Sequence, residues 1–73
     1  MINDEQLNEY RLSGILVRVI RDRDEKNDVK GIVVAWNDES VMIRRRNRKI
    51  VKLSRDYIYQ PYEDQRAGDG NEK

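Results

Sequence analysis

The chain of 73 residues carries 15 Lys and Arg against 14 Asp and Glu, a net charge of +1, and it has no Cys and no His. These values point to one domain with a small core. They exclude disulfides, metal sites built on thiolate or imidazole, and catalysis that depends on Cys or His.

The near-zero net charge conceals a segregation. From Val41 to Arg55 there are seven basic residues (Arg44, Arg45, Arg46, Arg48, Lys49, Lys52 and Arg55) and no acid. The rest of the chain holds eight basic and fourteen acidic residues, a net of −6. Such a distribution predicts one basic face on an otherwise acidic body. The acidic start, Met1 to Glu5, is unlike a signal peptide, and no run reaches the ~18 apolar residues of a membrane span. A cytoplasmic location with no membrane partner is the expectation.

Asn3 to Leu12 reads as a short helix. Asn3 or Asp4 can cap it, Asp4 and Glu5 favour its positive end, and Ser13-Gly14 ends it. Ile15 to Ile20 is the first strand. The polar run Arg21 to Asp28 is an exposed loop. Its carboxylates lack the Gly and the terminal Glu of a calcium loop.

Val29 to Trp36 is the second strand, with Gly31 read as a bulge or bend that lets a small barrel close. Asn37 to Ser40 is a turn, and Val41 to Ile43 is the third strand. Arg45-Arg46-Asn47-Arg48 is a tight hairpin, with Asn47 the residue suited to positive φ. Ile50 to Leu53 is the fourth strand. Tyr57 to Tyr59 is the fifth, stopped by Pro61. Residues 1–62 are therefore expected to form a mainly β domain, a small five-stranded SH3-like or Sm-like barrel with an N-terminal helix. Residues 63–73, nearly devoid of apolar side chains, are expected to be a disordered tail. Period-2 alternation predicts a core of Ile15, Val17, Val19, Ile32, Val34, Val41, Ile43, Val51, Leu53 and Ile58.

The order of a short helix and five strands, with Gly31 inside the second strand and a tiny turn before the fifth, resembles the Sm-like family and its Hfq-like members. Leu7-Asn8 with Arg11, Leu16-Val17-Arg18-Val19, Val29 to Asn37, Val41-Met42-Ile43 and Ile58 fall where that pattern has similar residue types. The resemblance spans roughly residues 7–60 and implies a small barrel, self-association and RNA as the partner. In the Hfq-like pattern a Tyr-Lys-His stretch before the last strand binds uridine. Ser54, Arg55 and Asp56 stand there, so Arg55 alone keeps that chemistry.

The expected function is that of a non-catalytic binding module without cofactor or metal. Arg44, Arg45, Arg46, Arg48, Lys49 and Arg55 are the candidate phosphate contacts, because guanidinium binds phosphate bidentately and stacks on bases. Tyr57 and Tyr59, which share one face of a strand, are the candidate stacking residues, with Tyr62 nearby. The expected partner is nucleic acid, RNA before DNA, or an acidic protein surface, and a homo-oligomer is expected as well. The alternative is an SH3-like protein-interaction, accessory or inhibitor module using Tyr57, Tyr59 and Trp36. Solubility alone would also account for an Arg-rich hairpin.

Overall fold

The structure, a computed structural model, describes residues 1–67. One helix precedes five antiparallel strands in a single barrel-like sheet. Helix α1 spans Asp4–Ser13. The Asn3 side chain caps it, accepting from the Gln6 N–H at 2.8 Å, and Asp4 and Glu5 sit in its first turn. Gly14 closes it at φ 65°, donating its N–H to the Tyr10 carbonyl at 3.0 Å. That left-handed cap is cheap only without a Cβ. Leu7 and Tyr10 are buried, and the helix lies against the second strand.

The strands are β1 (Val17–Ile20), β2 (Val29–Trp36), β3 (Ser40–Arg44), β4 (Ile50–Ser54) and β5 (Ile58–Pro61), in the sheet order β4-β3-β2-β1-β5. Leu7, Tyr10, Val17, Val19, Val33, Val41, Ile43 and Tyr59 form the core. Ile15, Val51 and Leu53 pack against it.

Four expectations are corrected. On β2, Val33 is buried, as is Gly31, while Ile32 and Val34 are half-buried. This strand is apolar on both faces, so alternation alone could not select the inner one. The register shift lies between Val33 and Ala35 and not at Gly31. Gly31 serves close approach instead: a Cβ there would stand 2.5 Å from the Arg44 carbonyl oxygen.

On β5, Ile58 is 51% exposed and Tyr59 is buried against the core. The register pairs Val19 with Tyr59 and carries the strand through Pro61, opposite Val17. An edge strand tolerates the missing Pro N–H. The buried Tyr59 hydroxyl is satisfied by donating to the Ser54 carbonyl at 2.6 Å, which permits a phenol in the core.

The domain also continues past residue 62. Arg66 is buried, with its guanidinium on Asp28. Residues 63–67, expected in the tail, are thus part of the folded body, and residues 68–73 of that expectation lie outside the described residues. Strand β1 explains why the segment docks. Val17 and Val19 face the core, but Arg18 and Ile20 are buried on the opposite face, and the chain after Pro61 contributes to that second cover.

Candidate nucleic-acid interface

A row of paired residues positions the basic turn. Pro61, Val17 and Gly31 are aligned across β5, β1 and β2, and the next residue of β2, Ile32, is aligned with Arg44 and Ile50 across β3 and β4. The β3–β4 turn, Lys30, Leu16 and the chain following Pro61 all begin within one or two residues of this line. Extended strands rise only ~3.3 Å per residue, so these groups converge on one part of the surface.

The turn is held by its own backbone. The Arg45 N–H donates to the Lys49 carbonyl and the Arg48 N–H to the Arg45 carbonyl, each at 2.8 Å. The Lys49 N–H donates to the Asn47 side-chain oxygen at 3.0 Å. Arg48, and not Asn47 as expected, takes the positive φ of 71°. Hairpin turns of this kind need one left-handed residue, usually Gly. An L-residue held there costs backbone energy.

Arg44, Arg45, Arg46, Arg48 and Lys49 are all exposed. Among the described residues none of the five is in an ion pair. The acidic loop makes no ion pair with them among the described residues, and its carboxylates are engaged locally. Asp22 accepts from the Asp24 N–H and from the Asn27 side chain. Asp24 caps the short 3₁₀ turn Glu25–Asn27, and Asp28 is turned inward onto Arg66 and Arg18.

Between the turn and the chain after Pro61 runs an open groove of about 440 Å³, lined by Leu16, Asp28, Lys30, Arg45, Arg46, Asn47 and Tyr62. Tyr62 is anchored through its backbone, and two cations lie near its ring. Its N–H donates to the Leu16 carbonyl at 2.9 Å. The Arg18 guanidinium lies 4.6 Å from its ring centroid, and the Lys30 ammonium 5.1 Å. Beneath, the Arg66 hydrogen bond, assisted by the Arg66 and Arg18 charges, holds the Asp28 carboxyl below the ordinary carboxylate range against the opposing effect of burial. Asp28 therefore stays anionic but internally matched, and the outward field of the groove comes from Lys30, Arg45 and Arg46.

Two of the expected site residues are withdrawn. Arg55 is 5% exposed and ties three segments together. It donates to the Asn37 carbonyl at 2.9 Å and the Ile2 carbonyl at 2.7 Å, and it pairs with Asp4 at 2.9 Å. A guanidinium so engaged is a structural clamp. Tyr59 faces the core, and burial pushes its hydroxyl pKa up to about 12. Tyr57 is half-buried, with Arg21 at 5.9 Å from its ring, and lies outside the groove. Lys30 and Tyr62 are the groove residues missing from the expected set. Nothing local marks Lys30, since its position beside Tyr62 follows from the β1–β2 register, which pairs it with Arg18.

No family model, curated protein or solved structure matches the chain. Its class is set by fold and surface alone: a mainly β, barrel-like domain with a cationic groove at the end of one hairpin.

Proposed function

We propose that the protein is a non-catalytic nucleic-acid-binding module, with RNA before DNA on the strength of the Sm-like resemblance. The observation that carries this reading is the set of five exposed cations at one turn, none in an ion pair among the described residues, joined by Lys30 along a groove that contains an exposed Tyr. Phosphates would displace counterions from the Arg side chains, so affinity must fall steeply with salt. The test is titration of the wild type with single-stranded RNA, duplex DNA and an acidic polypeptide at low and physiological salt. RNA should bind most tightly. Arg44→Ala/Arg46→Ala/Arg48→Ala should weaken binding and flatten the salt slope by roughly 0.7–0.9 per lost phosphate contact. No binding tighter than about 100 µM at low salt, the weak end of ordinary non-specific association, would reduce the turn to a solubility device. Preference for the acidic polypeptide would favour the protein-interaction module. The burial of Tyr59 already removes part of that module's expected surface.

Self-association is a second part of the proposal. Among the described residues strands β4 and β5 each pair on one side only, and Ile50 and Ile58 on them are 59% and 51% exposed. Unpaired edges with exposed apolar residues favour pairing with another chain. Light scattering should report an assembly that Ile50→Lys/Ile58→Lys disperses, and a concentration-independent monomer would remove this part.

A further inference from the structure

We infer that the groove takes one unpaired nucleotide, with its phosphate against Lys30, Arg45 and Arg46 and its base against Tyr62, so that the protein prefers single-stranded to duplex nucleic acid. This inference rests on the nucleic-acid reading above and adds strandedness to it.

The cations stand in two positions. Arg44, Arg48 and Lys49 are exposed but do not line the groove, whereas Lys30, Arg45 and Arg46 do, together with Tyr62. A duplex keeps its bases stacked inside and offers only phosphates on a convex surface, so it reaches the outer set. An unpaired nucleotide can be splayed into a recess and stacked on an aromatic ring. The volume of about 440 Å³ lies within the range of ~300–1,000 Å³ typical of small-ligand clefts.

Tyr62 suits the role of a platform. It is 37% exposed, yet held at its N–H by Leu16 and backed by the buried Arg18. Little conformational entropy remains to be lost when a base settles on it. The Lys30 ammonium, 5.1 Å from the same ring, is on a flexible stem and can shift from the ring to the phosphate of the arriving nucleotide. Asn47 adds a polar group. Its side-chain oxygen already accepts from the Lys49 N–H, which leaves its amide nitrogen to donate to a base.

The test measures fluorescence anisotropy of the full chain with a labelled single-stranded oligouridylate and with an RNA duplex of the same length. The single strand should bind about ten-fold tighter or better, the scale of one base–aromatic stack. Tyr62→Ala should lose about that factor on the single strand and change duplex affinity by less than about two-fold, while Tyr62→Phe keeps the preference. Lys30→Ala, at an exposed position, should narrow the same preference and carries the comparison should Tyr62→Ala fail to fold. Arg48→Ala should weaken both ligands alike. Equal binding of the two RNAs, or equal losses on both from Tyr62→Ala and Lys30→Ala, overturns the groove assignment and leaves the basic turn as a non-specific binder. Absence of binding to either RNA at low salt overturns the nucleic-acid reading itself, and this inference with it.

Discussion

Arg66 meets Asp28 through two parallel hydrogen bonds, Nε to Oδ2 at 2.7 Å and Nη2 to Oδ1 at 2.9 Å, with the Asp28 side chain fully buried. The same carboxylate takes Arg18 at 3.4 Å. One acid thus serves two buried cations and ties the chain after β5 to the loop before β2. Removing the acid takes the shared carboxylate from both guanidiniums, leaving Arg18 with Glu25 at 3.7 Å and Arg66 with the Asp22 carbonyl at 2.9 Å. Asp28→Ala should cost about 3–5 kcal/mol, the scale for breaking a buried pair from one side, read as a shift of the urea midpoint. Arg18→Met/Asp28→Leu/Arg66→Met should recover much of that loss, because apolar groups of similar size need no partner. Truncation after Tyr62 should destabilise the domain as well.

The same contact sets the acid limit of stability. Asp28 has its pKa lowered in the fold, chiefly by the Arg66 hydrogen bond. Its contribution is therefore fully present above the unfolded value of about 3.9 and is lost as pH falls through the lower folded value. Thermal melts at descending pH should show a decline below about pH 4 that is absent from the apolar triple variant.

At high pH the sign reverses. Tyr59 is raised to about 12 because burial disfavours the phenolate, with Tyr57 adding to the rise and Arg55 opposing it. A raised pKa contributes stability that is whole below about pH 10 and lost as pH climbs from there through the folded value. Burial raises the Tyr10 pKa as well, so tyrosinate absorbance should show a delayed titration whose last step belongs to Tyr59 and coincides with unfolding. In Tyr59→Phe that late step should vanish.

Gly31 brings β3 onto β2, and an added Cβ would also meet Ile43 Cγ2 at 2.5 Å. Gly31→Ala must push the strand pair apart, at a cost of about 1–3 kcal/mol for overpacking. In a domain of this size that lowers Tm by roughly 4–8 °C per kcal/mol. Because Lys30 is the adjacent residue and Arg44 leads into the basic turn, RNA affinity should fall in the same variant.

Arg48 sits at φ 71°, a conformation costing an L-residue about 1–2 kcal/mol, of which the backbone entropy of Gly takes back about 0.5–1. Arg48→Gly should therefore leave Tm unchanged or raise it by a few degrees, while weakening RNA binding. A variant that becomes both less stable and equally good at binding would remove Arg48 from the interface.

The amino-acid sequence by itself determined the elements and the class. Asn3, Gly14 and the apolar runs around Val17, Val33, Ile43 and Val51 act through local capping, φ preference and alternation, which need no knowledge of neighbours. It also marked the basic turn, since seven cations without an acid between Val41 and Arg55 are visible in the chain order. The tertiary structure decided which of those cations are available. Arg55 is spent on the Asn37 and Ile2 carbonyls and on Asp4, contacts that join distant segments and leave no local trace. It decided the inner face of β2 and β5, because a strand apolar on both sides is assigned by pairing register and not by its own pattern. It also made the groove. Lys30, Arg46 and Tyr62 are far apart in the chain and meet because β2 pairs with β3 and β1 pairs with both β2 and β5, and long-range pairing is the term that local propensity does not encode.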